Sequence, residues 1–168
     1  MTERTSEDIL KSAILLEKRG RAFYKKVASQ TEHAATREFF QMMADEEKTH
    51  VEILARQYRS LMDTGGFATA EPNPEDIHDE VATQVLCKQM RKELGAADFE
   101  AAAISAAMSM EQRAIDLYTR RAKEATDEKE KALYQWLVDW EQGHLTFLAE
   151  VDQELREDVW NDQNFWPY

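Results

Sequence analysis

The 168-residue sequence has few of the residues that cross-link or interrupt a chain: one cysteine, three prolines and five glycines. A single cysteine, Cys87, excludes an internal disulfide and any four-cysteine iron or zinc module within these residues. We expect Cys87 to be a half-buried helix residue. Because prolines and glycines are rare between long tracts rich in Glu, Lys, Arg, Ala and Leu, the sequence predicts a mostly helical chain.

Positive charge and long apolar runs are also scarce. The chain carries 21 Lys and Arg against 33 Asp and Glu, and its formal net charge of −12 argues against nucleic acid and anionic membranes as partners. No signal peptide and no run of about eighteen apolar residues is evident, so we expect a soluble cytoplasmic protein. The content of 43% hydrophobic and 32% charged residues is typical of a folded domain.

Breaks in the helical periodicity divide the chain into two helical hairpins, over residues 6–62 and 98–157. A connection over residues 63–97, with a short helix of its own around 80–94, joins them. Residues 158–168 form an aromatic tail without helical periodicity. We expect this tail to dock on the bundle or on a second subunit, because exposed clusters of aromatic side chains are rare.

Three of the four long helices have polar residues spaced to cap their first turn. Thr5 and Asp8 have the spacing of a capping box before the first helix. Asp98 is expected to cap the third long helix, and Asp127 with Glu130 to form a second capping box before the fourth.

The two hairpins repeat one pattern at a constant shift of 94 residues. The segment "LEKRGRAFYKKVA" at 16–28 aligns with "MEQRAIDLYTRRA" at 110–122, and "FFQMMADEEKTHVEILA" at 39–55 aligns with "LYQWLVDWEQGHLTFLA" at 133–149. The shift superimposes seven pairs of identical polar residues: Glu17 on Glu111, Arg19 on Arg113, Tyr24 on Tyr118, Gln41 on Gln135, Asp45 on Asp139, Glu47 on Glu141 and His50 on His144. A duplicated helical hairpin predicts an all-α four-helix bundle with one long crossover connection.

Each long helix carries one glutamate in the middle of its apolar stripe, because the residues three, four and seven positions away are mostly apolar. Burial of an isolated carboxylate costs on the order of tens of kcal/mol by a Born estimate, and no lysine or arginine shares these stripes. Two divalent cations would balance four carboxylates. The carboxylates and the two histidines suit iron or manganese better than zinc, and they match the ligand pattern of di-iron carboxylate bundles: Glu17, Glu47, His50, Glu111, Glu141 and His144.

The segments "LEKRGRAFY", "EEKTH", "MEQRAIDLY" and "WEQGH" resemble the ligand segments of the rubrerythrin branch of the ferritin-like superfamily, over most of residues 6–157. The resemblance implies two iron ions, with Mn or Zn as substitutes. It also implies roles for the ligands: Glu47 and Glu141 bridge the ions, while Glu17 with His50, and Glu111 with His144, are terminal ligands. It further implies that the hydroxyls of Tyr24 and Tyr118 bond to ligand carboxylates; the alternative is that both are ordinary core aromatics.

The resemblance implies a non-haem di-iron oxidoreductase that reacts with O2 or H2O2, as a ferroxidase or by peroxide reduction. The chain lacks the four cysteines of a rubredoxin module, so electrons would come from an external donor such as a rubredoxin-like protein, and a homodimer is expected. Met108 and Ala114 stand where peroxide-reducing members carry an additional carboxylate, which puts efficient peroxidase chemistry in doubt. The alternatives are an iron-storage protein and a zinc-bound or metal-free binding protein.

The two halves differ at the residue before each Glu-x-x-His, which is Glu46 in the first and Trp140 in the second. A carboxylate could accept the second ring N–H of a ligand histidine, whereas an indole is a donor only. The alternative for Glu46 is a plain surface charge. His33 and His78 lie outside the repeat, and we expect both to be exposed and without a role.

Overall fold

A computed structural model describes residues 5–69, 80–95 and 98–161, and the regular elements in these ranges are five α-helices. The helices are α1 Ser6–Gln30, α2 Ala34–Thr64, α3 Glu80–Glu93, α4 Phe99–Glu124 and α5 Glu128–Asn161. The all-α prediction is confirmed. Within the described ranges, no helix combines the length and the apolar character that a membrane span requires.

Two hairpins, α1–α2 and α4–α5, pack together with α1 against α4. At one end of the bundle, Thr31 after α1 donates a hydrogen bond of 2.6 Å to Glu100 at the start of α4. At the other end, Arg121 near the end of α4 donates to Ser6 at the start of α1, at 2.8 Å. Because α1 and α4 are therefore antiparallel, the connection from α2 to α4 must run the length of the bundle. Within this connection, α3 packs against α2 and α5.

The predicted caps are correct at some helix ends and wrong at others. The Thr5–Asp8 capping box is present. Asp98 occupies the N-cap of α4 without capping it through its side chain, because its carboxylate accepts a hydrogen bond from the backbone N–H of Gly95 at 2.7 Å instead. Asp127 accepts from the backbone N–H of Glu130 at 3.0 Å. The second half of that box is missing.

Glu130 takes a tertiary partner in place of the local one. Its buried carboxylate pairs with the guanidinium of Arg121 at 2.7 Å, across the turn between α4 and α5. A charge-assisted pair with a guanidinium is stronger than a bond to one backbone N–H, which explains why the full capping box does not form.

Helix α5 extends beyond residue 157, the end predicted from the sequence. It continues to Asn161, four residues into the segment assigned to the aromatic tail. Each residue added to an existing helix gains a backbone hydrogen bond without the cost of nucleating a new helix, so a helix can continue beyond its apolar pattern. The rest of the tail, residues 162–168, and its predicted docking lie outside the described residues.

The described part of the chain has two apolar core clusters, which we name after Tyr24 and Tyr118. The Tyr24 cluster includes Phe40, Ile104 and Leu148, and the Tyr118 cluster includes Leu10. Every long helix contributes to both clusters, and its central glutamate stands between its two contributions. The flanking pairs are Ala13 and Tyr24 around Glu17, Ala44 and Ile53 around Glu47, Ala107 and Ala114 around Glu111, and Val138 and Phe147 around Glu141.

Cys87 is fully buried in the Tyr24 cluster, so its predicted half-buried position is wrong. It lies on the face of α3 that covers α2 and α5, together with Leu86 and Met90. Burial raises the pKa of the Cys87 thiol to about 11, which leaves it protonated and unreactive at neutral pH.

Candidate metal centre

The six predicted ligands converge in the polar layer between the two apolar clusters. Helices α1 and α4 each supply one glutamate, and α2 and α5 each supply a Glu-x-x-His pair. All six side chains belong to residues that are at most 2% exposed: Glu17, Glu47, His50, Glu111, Glu141 and His144. The constant shift of 94 in the sequence therefore corresponds to one shared site in space.

The side chains form two overlapping groups of ligand atoms. One group consists of Glu17, Glu47, His50 and Glu141; the other consists of Glu47, Glu111, Glu141 and His144. In each group, one oxygen or nitrogen atom per residue lies within 4.8 Å of the others. Glu47 and Glu141 belong to both groups, and the remaining four residues belong to one group each. Two cation positions that share two carboxylates are compatible with this arrangement.

Both histidines present the same ring nitrogen to the carboxylates. The Nδ1 atom of His50 lies 3.1 Å from Glu141 and 3.6 Å from Glu17. The Nδ1 atom of His144 lies 3.1 Å from Glu141 and 3.6 Å from Glu111. The two rings are roughly parallel, with centroids 6.1 Å apart. Glu141 thus lies between the histidines.

Several donor and acceptor atoms at the centre lack a hydrogen bond within the described part of the chain: Glu47 Oε2, Glu141 Oε1 and both ring nitrogens of His50. The 3.1 Å contact between His50 Nδ1 and Glu141 Oε1 is close, but it does not have hydrogen-bond geometry. An unsatisfied buried polar group costs about 1–3 kcal/mol. Divalent cations would satisfy the carboxylate oxygens and the Nδ1 atom of His50, which faces the carboxylates, so the residues present fit a two-cation site.

Burial and mutual repulsion shift the protonation of the carboxylates. Burial first, and then the charges of Glu17 and Glu141, raise the pKa of Glu47 well above its usual value. Burial, reinforced by Glu141, raises the pKa of Glu111 to about 7. Burial also acts to raise the pKa of Glu141, but the adjacent imidazolium of His50 outweighs it and holds that pKa below the usual range.

The histidine pKa values move in the opposite direction from ordinary buried imidazoles. Burial alone would lower the pKa of His50, but the neighbouring carboxylates, Glu141 above all, raise it well above its usual value. The pKa of His144 is likewise raised against the effect of burial, chiefly by its hydrogen bonds to Glu111, Glu141 and Glu46. Protons therefore compensate the excess negative charge when metal is absent.

Each predicted tyrosine donates a hydrogen bond to a ligand candidate on the other hairpin. The Tyr24 hydroxyl, from α1, donates to Glu111 on α4, and the Tyr118 hydroxyl, from α4, donates to Glu17 on α1. Burial and the charge of Glu111 raise the pKa of Tyr24, so its hydroxyl stays protonated. These two bonds hold the glutamates of α1 and α4 in fixed orientations.

A family model for rubrerythrin matches residues 8–151, which is most of the chain. The chain belongs to the rubrerythrin family. A solved structure of a hypothetical protein from Pyrococcus furiosus is similar, with 26% sequence identity, 94% of each chain covered and a TM-score of 0.64. No curated protein sequence matches. Rubrerythrins are di-iron carboxylate proteins, and the buried Glu/His cluster of this member is compatible with that site.

Glycine at position 20 gives the shared carboxylate of this rubrerythrin its space. A Cβ atom at Gly20 would lie 3.2 Å from Oε1 of Glu47 and 3.3 Å from its carboxyl carbon. We did not identify Gly20 as a site residue from the sequence. The available signal was a glycine in the interior of α1, on the face of Glu17, where glycine costs about 0.5–1 kcal/mol relative to alanine.

Apolar residues occupy positions 108 and 114, where the sequence resemblance implies an additional carboxylate in peroxide-reducing members. Met108 is half-buried against the Tyr24 cluster, and Ala114 is buried in the Tyr118 cluster. Neither position supplies a carboxylate to the centre.

His33 is half-buried, so its predicted exposure is wrong. It stands at the N-cap of α2, and a ligand atom of its ring lies within 4.8 Å of atoms from Asp98 and Glu100 at the start of α4. Acidic groups are favourable at helix N-termini, where the backbone carries partial positive charge, and Glu100 also accepts a hydrogen bond from Thr31. The position of Asp98 and Glu100 near His33 is therefore explained by the start of α4 and does not require a bound metal. His78 lies outside the described residues.

Proposed function

We propose that this rubrerythrin is a non-haem di-iron oxidoreductase that reacts with O2 or H2O2, as a ferroxidase or by reducing peroxide. The observation that carries the proposal is the pair of overlapping ligand groups, which share Glu47 and Glu141 and are buried between two apolar clusters. Four carboxylates and two imidazoles favour iron, with manganese or zinc as substitutes. Two ferrous ions would together supply the two electrons that reduce one H2O2, which takes up two protons and forms two water molecules.

Two tyrosines would fix the orientation of the ligand carboxylates, and the apolar clusters would keep bulk water out of the site. The hydroxyls of Tyr24 and Tyr118 each donate to one oxygen of a terminal glutamate and would keep that carboxylate in a fixed orientation. The apolar clusters above and below exclude bulk water, which strengthens electrostatic interactions at the centre. Since Met108 and Ala114 provide no additional carboxylate, we propose ferroxidase or modest peroxidase activity rather than efficient peroxide reduction.

Reducing equivalents would come from a separate protein of the rubredoxin type, or from ferrous iron itself as the substrate. The sequence contains one cysteine, and it is buried in the core. We also propose a homodimer. Gel filtration distinguishes a dimer from the large closed cage that an iron-storage role would require.

Anaerobic Fe(II) titration of the metal-free protein tests the proposal. We expect two equivalents to bind and to be oxidised on addition of H2O2, with one H2O2 consumed per two ions and ferric absorption appearing in the near ultraviolet. Glu47→Ala and Glu141→Ala should impair both positions, because each residue belongs to both ligand groups. Glu17→Ala should impair only one position.

The exposed Glu52 on α2 provides the matched control, since Glu52→Ala removes a carboxylate far less buried than Glu47. It should bind and oxidise iron like the parent protein. Binding of no more than one equivalent by the parent protein, or two equivalents that O2 and H2O2 leave ferrous, would refute the proposed function.

A further inference from the structure

Glu46 lies beside the metal centre although it is not one of the predicted ligands. It directly precedes Glu47 on α2, yet its carboxylate crosses to α5 and contacts the Nε2 atom of His144. Its side chain is 16% exposed, so it is not a plain surface charge. The indole N–H of Trp140 can donate to the same Glu46 oxygen, at 3.4 Å, or to His144 Nε2 when that nitrogen is unprotonated, at 3.2 Å.

The contact determines which nitrogen of His144 can bind a cation. The Nδ1 atom faces Glu141 and Glu111, at 3.1 and 3.6 Å, so it is the nitrogen available to the centre. A neutral imidazole that binds metal through Nδ1 carries its proton on Nε2. Glu46 is the acceptor for that proton, and a carboxylate in this place makes a histidine a stronger ligand and fixes its orientation.

Among the described residues, no carboxylate holds the same place beside the other ligand histidine, His50. The shift of 94 that relates the hairpins brings Trp140 to the position of Glu46, and an indole only donates hydrogen bonds. The Nε2 atom of His50 is buried without a hydrogen-bond partner in the described ranges. The His50 ring instead stands nearly perpendicular to the indoles of Trp136 and Trp140, with centroids 5.8 and 5.4 Å away.

We infer that Glu46 is a positioning residue for His144 and that it makes the two cation positions unequal, with the Glu111–His144 position binding more tightly than the Glu17–His50 position. The inference rests on the proposed two-cation site, and it predicts which of the two positions binds its cation first. A pair of ions in unequal positions would be loaded one after the other.

Stepwise Co(II) titration of the metal-free protein, followed by visible absorption, tests this order. We expect two resolved steps, of which Glu111→Ala removes the tighter and Glu17→Ala the weaker. Removal of a carboxylate behind a ligand histidine typically lowers metal affinity about 10- to 100-fold. We therefore expect Glu46→Ala to weaken the tighter step by this factor and to leave the weaker step unchanged. Glu52→Ala is the control and should change neither step.

A second measurement reads the proton on His144 directly. In the Zn(II)-loaded protein labelled with ¹⁵N-histidine, the Nε2–H of His144 should exchange slowly with solvent, because Glu46 holds it. Glu46→Gln keeps an acceptor oxygen and should retain this signal with intermediate affinity, whereas Glu46→Ala should lose it.

The outcomes separate the inference from the proposed function. A protein that takes up two ions, but whose Glu46→Ala variant has unchanged affinities or loses affinity equally at both positions, contradicts the inference alone. A protein that does not bind a second ion contradicts the proposed function itself.

Discussion

Raising the pH should destabilise the metal-free protein, and Glu111 allows the size of the effect to be worked out. Its pKa rises from the usual 4.5 to about 7 in the folded state, mainly because it is buried. Each pKa unit corresponds to about 1.4 kcal/mol, so Glu111 alone accounts for about 3 kcal/mol. This contribution is fully present below pH 4.5 and is lost as the pH rises through 7.

Between pH 5 and 8, the other groups with shifted pKa values either lower the free energy of unfolding as the pH rises or leave it unchanged. The raised pKa values of Glu47, His50 and His144 also make the folded state retain protons that the unfolded chain releases. Glu141 has a lowered pKa, and the stability it provides is present above pH 4.5 and lost only at lower pH. The free energy of unfolding should therefore fall on the order of 3 kcal/mol or more from pH 5 to 8.

With metal bound, the free energy of unfolding should rise with pH instead of falling. Cations replace the protons at the centre, and metal binding strengthens as ligands deprotonate. Urea unfolding at several pH values, with chelator or with saturating Mn(II), measures both curves, which should diverge as the pH rises. Glu111→Gln should flatten the metal-free curve, whereas the exposed Glu52→Gln should not. A metal-free protein whose stability is constant or increases from pH 5 to 8 would refute this account of the buried charges.

Two further predictions concern the packing around the glutamates. Gly20→Ala should lower Mn(II) affinity, because the new Cβ crowds the Glu47 carboxylate; Gly143→Ala, which meets no atom within 4 Å, should leave affinity unchanged and raise the unfolding free energy by about 0.5–1 kcal/mol. Equal Mn(II) affinities in the two variants would contradict the role given to Gly20. Tyr118→Phe should reduce the stability of the metal-free protein by about 1.5–3 kcal/mol, since it removes a hydrogen bond to Glu17. A double-mutant cycle with Glu17→Ala, which removes the acceptor oxygen, measures that bond, and a coupling energy near zero would rule it out.

Local features of the helices could be predicted well from the sequence. The Thr5–Asp8 capping box and the approximate limits of the four long helices depend on neighbours a few residues away. The central glutamates stood out because helical periodicity identifies the apolar stripe of each helix without knowledge of its partner. The repeat then predicted that four such stripes belong to one bundle.

The errors arose at residues whose surroundings are determined by contacts with other helices. Glu130 could have completed a capping box, but it pairs with Arg121 instead. Cys87 is fully buried because α3 packs across α2 and α5, which periodicity within α3 does not reveal. From the sequence, Glu46 could be either a surface charge or the hydrogen-bond partner of a ligand histidine; in the fold its carboxylate contacts His144.

The sequence by itself determined that each long helix buries one carboxylate, because the stripe on which it lies follows from a repeat of 3.6 residues per turn within a single helix. Only the tertiary structure decided how these groups meet. The sharing of Glu47 and Glu141 between two ligand groups, the crossed tyrosine bonds and the reach of Glu46 to His144 all join different helices. Such contacts depend on how helices are spaced and rotated against one another, and no residue pattern along one helix contains that information.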